Sequence, residues 1–100
     1  PGESQVFGKG MIGHAFKFGE THNAHDVRKD PYYTSYVESI LSEVDVPIRA
    51  GDHCLGIVDA QAATVGAFSQ DEVQTLETLA RFLVPMLQHA SMDQLIQLGR

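Results

Sequence analysis

Tryptophan is absent from this 100-residue chain, and cysteine occurs once, at Cys54. A single thiol forms no internal disulfide and no multi-thiolate metal site, a usage typical of a reducing cytoplasm. Basic residues are also few, since 7 Lys and Arg stand against 13 Asp and Glu and the formal net charge is -6. Nucleic-acid domains and proteins of anionic membrane surfaces need clustered basic residues, so both classes are excluded. The sequence also lacks the apolar run of about 20 residues that spans a bilayer.

The remaining composition is that of a small globular domain. Hydrophobic residues make up 43% of the chain and charged residues 20%, which is enough apolar content to build one core. We expect a single domain over residues 1–90. Residues 91–100 are predicted to form a helical extension or a linker to an output module.

The N-terminal half predicts two helices around a short strand. A glycine turn over residues 8–13 leads into a helix from His14 to Phe18, with Gly19 as its C-terminal cap. A strand is expected within residues 21–27. Asp30 followed by Pro31 is typical of a helix start, and this second helix is predicted to run to about residue 40, carrying the three tyrosines of the chain, Tyr32, Tyr33 and Tyr36.

Residues 43–58 predict an antiparallel hairpin. Polar and apolar residues alternate over 43–48, residues 49–52 supply turn chemistry, and residues 54–58 are nearly continuously apolar. Because alternate strand residues face opposite sides, Val44, Val46 and Ile48 share one face, and Glu43 and Asp45 lie on the other. Asp59 is expected on one face with two apolar residues of the second strand, Leu55 and Ile57. Two further residues, Pro47 and Gly56, indicate a sheet edge or a bulge.

A long amphipathic helix is predicted after residue 69. Ser69 and Glu72 have the spacing of a capping box, and apolar residues then recur every three or four positions to about residue 90. Pro85 is expected to kink the helix. A second apolar set, from Met92 to Leu98, predicts that the helix continues as a partner surface.

Five of these segments, in order, resemble a GAF domain. They are the glycine turn at 8–13, the Asp-Val-x-x-Asp-Pro segment at 26–31, Ser-Glu-x-x-Val-Pro-Ile at 42–48, Leu-Gly-Ile-Val-Asp at 55–59, and Phe-Ser-x-x-Asp at 68–71 before the last helix. The resemblance implies an α+β fold in which helices flank a partial antiparallel sheet, and it implies that the family's first helix and first strands are missing from this chain. It also implies a small-molecule site between the sheet and the connecting helices.

The expected ligand site combines carboxylates with tyrosines. Glu43, Asp45 and Asp59 would face the family's ligand cavity, beneath the helix that carries Tyr32, Tyr33 and Tyr36. Carboxylates that face aromatic rings favour a polar or cationic ligand, such as an amine or an amino acid derivative. The alternative is that the acids are solvated strand residues and the tyrosines cover the core.

Two other kinds of site, a reductase active site and a metal or haem site, match the sequence less well. Free methionine-(R)-sulfoxide reductases are a GAF subfamily whose acidic substrate-holding residues resemble Glu43 and Asp59, with Gln61 in place of a second aspartate. Their reaction needs an attacking thiolate and a resolving partner. This sequence has Ile12 where they have a cysteine in the glycine turn. A second possibility is a metal or haem site, for which the candidate ligands are His22, His25 and Asp26.

These observations predict a non-enzymatic sensory domain of a cytoplasmic, bacterial signalling or transcription-regulatory protein. An unidentified small molecule would shift the sheet against the last helix, and residues 73–98 of that helix would form a homodimer and carry the change to an output domain. The alternative from another class is a dimerisation and relay module without a ligand.

Overall fold

The computed structural model describes residues 10–34, 39–88 and 94–99 as two helices and a four-stranded sheet. In chain order the elements are helix α1 (Gly10–Phe18), strand β1 (His22–Ala24), a 3-10 helix (Val27–Lys29), strands β2 (Ser42–Ala50) and β3 (His53–Ala62), helix α2 (Gln70–Leu87) and strand β4 (Gln94–Gly99). The sheet order is β1-β2-β3-β4. The first three strands are antiparallel, and β4 runs parallel to β3. The predicted α+β class is confirmed, with a mixed sheet instead of an antiparallel one.

Helix α1 ends where the glycine cap was predicted. Gly19 has a φ of 66°, and its N–H donates to the carbonyl of Ala15 at 2.9 Å. A residue without a Cβ adopts this left-handed conformation at little cost. The helix starts at Gly10, four residues before the predicted start, and the expected strand within 21–27 is confined to His22–Ala24.

The predicted hairpin is present as β2 and β3, and its turn contains Gly51 with a φ of 61°. The pairing shifts between Ile48 and Arg49, which leaves Leu55 as the extra residue of a bulge. Leu55 therefore packs in the same core as Val44, and its expected placement beside Asp59 was wrong. Pro47 lies beyond the three residues of β2 that pair with β1, so its missing N–H breaks no ladder on that side.

Helix α2 covers one face of the sheet. The predicted capping box is present, since Ser69 and Glu72 each accept a hydrogen bond from the other's backbone N–H. Alternate residues of β2 and β3 form the core beneath the helix, and its buried members are Val44, Val46, Ile48, Leu55, Val58, Ala60, Ala62, Phe68, Val73 and Ala80. Pro85 lies within the last turn, and the kink expected there stays a prediction. Among the described residues, no helix has the length and hydropathy needed to cross a bilayer.

The helix predicted over residues 30–40 is contradicted where the chain is described. Asp30 ends the 3-10 helix, and Pro31–Tyr32 is a turn. The Asp30 Oδ1 accepts the Tyr32 N–H at 2.9 Å, and its Oδ2 lies 2.6 Å from His22 Nε2. Its carboxylate therefore closes a tight turn instead of capping a helix that follows.

The predicted helical extension after residue 91 was also wrong, because residues 94–99 form strand β4. Helix α2 ends at Leu87, so a continuous dimer helix over residues 73–98 does not exist. The edge of β3 presents backbone N–H and C=O groups that need partners. Pairing with β4 satisfies them, and it packs Ile96 against the core beneath α2.

Candidate functional site

The face of the sheet opposite helix α2, which we call the second face, carries a row of polar side chains that crosses all four strands. In the strand register, His22 of β1 lies opposite Asp45 of β2, Asp45 opposite Asp59 of β3, and Asp59 beside Gln97 of β4. Residues paired in this way point to the same face of a sheet. The α2 core occupies the other face, so this row faces the layer that contains α1 and the 3-10 helix.

Three carboxyl groups are buried at the centre of this face. Asp45 and Asp59 are fully buried and Glu43 is 4% exposed. Each of the three residues offers one oxygen within 4.8 Å of the other two. The predicted convergence of Glu43, Asp45 and Asp59 is thus present, and we call it the carboxylate triad. The interpretation of these acids as solvated strand residues was wrong.

Hydrogen-bond donors are distributed unequally over the triad. Asp59 Oδ2 accepts from the side-chain amides of Gln61, at 2.9 Å, and Gln97, at 3.2 Å. Both oxygens of Asp45 and the Oδ1 of Asp59 are buried and receive no hydrogen bond from the described residues. A buried carboxylate without donors is costly, and this cost is offset best at Asp59 and least at Asp45.

The triad does not carry three charges near neutral pH. Burial raises the pKa of Glu43 to about 7, and the nearby charge of Asp59 also raises it. Burial also raises the pKa of Asp45 well above its usual value, and the nearby charges of Asp59 and Glu43 raise it further. Both shifts favour a proton bound within the triad near neutral pH. A cation that enters the triad would replace this proton as the partner of the oxygens.

A cavity of about 270 Å³ borders the triad through Gln61. Its other lining residues come from the segment before β2, from the end of β3 and from β4, namely Ser39, Ile40, Ala62, Ala63 and Gly99. Gln61 joins this space to Asp59 by its hydrogen bond. The volume suits a small organic molecule. The triad itself could hold an ammonium group or a hard metal cation, since both bind carboxylate oxygens.

The tyrosines are divided between two places. Tyr33 is buried in a second core with Met11, Ala24 and Val27. The Tyr32 ring stacks on His14 with the ring centroids 3.8 Å apart, and Tyr36 lies outside the described residues. Neither Tyr32 nor Tyr33 is part of a helix above the triad, so the predicted tyrosine cover is not supported for these two residues.

The proposed histidine ligands are not brought together. His22 binds Asp30, His25 is exposed, and Asp26 forms a bidentate ion pair with Arg28. Chiefly through this side-chain hydrogen bond, Arg28 lowers the pKa of Asp26 to about 2. Among the described residues, His22, His25 and Asp26 form no ligand group for a metal.

Cys54 lies far from the triad. It is the second residue of β3, next to the hairpin turn, and its thiol donates to the carbonyl of Gly56 at 3.3 Å. Asp59 lies five positions further along β3, which corresponds to roughly 16 Å. A thiolate at this distance does not reach a molecule bound at the triad.

Two contributors to the site were missed by the sequence interpretation. Gln97 reaches Asp59 because β4 is a strand, and the helical periodicity of residues 92–98 concealed that possibility. Ser42 is fully buried and its hydroxyl donates to the carbonyl of Thr64 at 2.7 Å, which fixes the loop after β3 beside the start of β2. The Ser-Glu dipeptide was a visible signal for Ser42.

Comparison with known proteins agrees with this architecture. The family model described as "GAF domain" matches residues 1–84. Protein ZMO0507 of Zymomonas mobilis is 32% identical over 82 residues, which are 77% of this chain and 51% of that protein. The type II free methionine-R-sulfoxide reductase of Thermoplasma acidophilum superimposes with a TM-score of 0.77 at 26% identity, over 91% of this chain and 62% of that one.

A second similar solved structure is named as a GAF domain. It is the GAF domain of a phosphoenolpyruvate-protein phosphotransferase from Coxiella burnetii, with a TM-score of 0.76, 28% identity and coverage of 84% of this chain and 52% of that one. The GAF domain is generally a small-molecule-sensing or regulatory fold. This chain belongs to the GAF domain family. It spans about half the length of the curated relative that it matches.

Proposed function

We propose that this chain is a non-enzymatic sensory domain that binds a small cationic molecule, with an amine or ammonium group at the carboxylate triad. The domain would belong to a cytoplasmic signal-transduction or regulatory protein and would act on an output module. The observation that carries the proposal is Asp45, a fully buried carboxyl group to whose two oxygens no residue in the described part of the chain donates a hydrogen bond. An ammonium group supplies three N–H donors and a positive charge, which are what these oxygens lack.

The non-enzymatic part of the proposal rests on the position of the thiol. The similar reductase of Thermoplasma acidophilum is an enzyme by name. In this chain Cys54 lies roughly 16 Å along β3 from Asp59, and thiol reduction of a sulfoxide needs contact with the substrate sulfur. We therefore expect no turnover of free methionine-R-sulfoxide. Turnover that disappears in Cys54→Ser would contradict this part.

The ligand class is tested by thermal stabilisation at pH 8 with a panel of amino acids, amino acid amides and polyamines. A bound amine present at one hundred times its Kd adds about 2.7 kcal/mol to the free energy of unfolding. We expect this stabilisation to disappear in Glu43→Gln and Asp45→Asn. The control, Asp52→Asn, removes an exposed carboxylate in the hairpin turn and should leave it unchanged.

Two results would overturn the proposal. Stabilisation of equal size in Glu43→Gln, Asp45→Asn and wild-type protein would move the ligand away from the triad. Stabilisation by calcium or manganese chloride, with none by any amine, would assign the triad to a metal ion.

A dimerisation and relay module is the second candidate function. It is favoured by Phe82 and Met86, which are 74% and 75% exposed and lie one turn apart on α2. Sedimentation velocity of wild-type protein and of the double variant Phe82→Ser, Met86→Ser decides it. A dimer that the double variant dissociates supports the module, and a wild-type monomer at high concentration contradicts it.

A further inference from the structure

Strand β4 is a direct neighbour of the triad, because Gln97 lies beside Asp59 in the strand register. It lies at the edge of the sheet and pairs in parallel with β3, from Gly56 beside Gln94 to Gln61 beside Gly99. Ile96 packs against the core beneath α2, whereas Gln97, Leu98 and Gly99 are exposed. A strand with this much exposure has low local stability compared with the central strands.

The packing of β4 on helix α2 is incomplete. A cavity of about 240 Å³ separates Leu98 and Gly99 from Thr75 and Leu76 of the helix. Apolar burial therefore holds the end of this strand only weakly, and single polar contacts gain importance for its docking.

A polar contact connects Gln97 of β4 to the interior of the site. The exposed Gln97 sends its amide inward to the fully buried Asp59, at 3.2 Å. A hydrogen bond to an ionised acceptor is roughly twice as strong as one between neutral groups. Its strength consequently depends on the charge that Asp59 carries.

We propose that Gln97 couples the docking of β4 to the occupancy of the triad, so that strand β4, not a continuous helix, is the element that transmits binding. This inference rests on the proposed cation site. A cation bound by Asp59 neutralises the carboxylate and repels the hydrogens of the Gln97 amide. The charge-assisted bond becomes a neutral one, and β4 opens more often.

Gln97 is a positioning residue in this scheme, and a charge series at this residue tests it. Hydrogen–deuterium exchange of the full chain at pH 7.5 reports the opening of residues 94–99. Relative to wild type, Gln97→Leu and Gln97→Glu should accelerate exchange in β4, about five- to tenfold for Leu and more for Glu. Gln97→Lys should slow it, because its ammonium group binds the same carboxylate.

The matched control is Gln74→Leu, which removes an exposed glutamine side chain from the middle of α2 and should leave exchange in β4 unchanged. In an Asp59→Asn background, all the Gln97 variants should show the same rate of hydrogen–deuterium exchange in β4. A merely structural role for Gln97 would not produce this dependence on the charge of its partner. The coupling would be overturned if the effects of the Gln97 variants on exchange were simply additive with that of Asp59→Asn. It would also be overturned if exchange in β4 did not become faster from Gln97→Lys through wild type to Gln97→Glu.

Methylammonium chloride serves as the probe of occupancy, with potassium chloride at equal ionic strength as its control. We expect methylammonium to accelerate exchange in β4 of the wild-type protein and not of Asp45→Asn. If the charge series holds and methylammonium has no effect, the coupling between Asp59 and Gln97 stands, and the proposed ligand class is wrong.

Discussion

Asp45 is the residue at which the demands of folding and of binding conflict. Because side chains alternate along a strand, Asp45 lies on the second face of the sheet, together with Asp59 and Glu43. Neither of its oxygens receives a hydrogen bond within residues 10–34, 39–88 and 94–99, so folding favours its protonated form. An apolar residue or an amide at this position would avoid the cost. The cost is consistent with a group kept for a ligand.

Replacing Asp45 by asparagine should stabilise the ligand-free protein at pH 8 by about 1–3 kcal/mol. In the unfolded chain the Asp45 carboxyl ionises at its ordinary pKa, whereas burial raises its pKa in the folded protein. Folding at pH 8 therefore opposes ionisation, and Asn has no such penalty. Urea unfolding of both proteins at pH 8 and pH 4 measures the effect, which should vanish at pH 4. A loss of stability at pH 8 would refute the protonated state of Asp45.

At the scale of elements, the end of α1 is joined to the sheet by one arginine. Arg49 Nη1 donates to the carbonyl of Gly19 at 3.0 Å, and a Cβ at Gly19 would lie 3.0 Å from the Arg49 guanidinium carbon. The glycine thus serves both the left-handed helix end and the close approach of β2. This contact holds α1 over the face that contains the triad.

We expect Gly19→Ala to cost about 2–3 kcal/mol, more than Gly51→Ala at about 1 kcal/mol. Both glycines have φ values in the left-handed region, at 66° and 61°. A Cβ at Gly51 meets nothing within 4 Å, so this variant isolates the backbone cost. Urea unfolding gives the loss in the free energy of unfolding for each variant, and the difference between the two losses measures the contact with Arg49. Equal losses would show that this contact contributes nothing.

The whole molecule consists of one sheet with an apolar core beneath α2 and a partly polar layer on the opposite face. The carboxylate triad lies near the middle of the sheet, in β2 and β3, which are the two longest strands. Its protonation therefore affects global unfolding and not merely a local opening.

The free energy of unfolding should fall as the pH rises from about 5 to about 7. An unfolded glutamate ionises near pH 4.5, whereas Glu43 ionises at about 7 in the folded protein. Between these values the unfolded chain binds fewer protons, so rising pH favours unfolding. We expect a decrease of a few kcal/mol, measured by urea titrations across this range. The decrease should be smaller in Glu43→Gln, and stability that rises with pH would contradict the buried neutral carboxyl groups.

Much of the site was accessible from sequence because it depends on strand alternation. The period of two places Glu43 and Asp45 opposite Val44 and Val46, and the apolar set identifies which face meets the helix. The carboxylate triad follows once the hairpin is known. The donors of Asp59 do not follow, because Gln97 lies 38 residues away along the chain, and no local pattern connects it to this aspartate.

The sequence by itself determined the elements that short-range physics governs: the glycine-capped helix α1, the hairpin of β2 and β3, and the capped helix α2. Caps, turns and periodicity act within a few residues, so they can be recognised without the fold. Only the tertiary structure decided that Asp30 closes a turn with His22 and that residues 94–99 are a strand. The backbone of β4 satisfies hydrogen-bonding groups on an edge of β3, and that long-range demand outweighs the local preference for a helix.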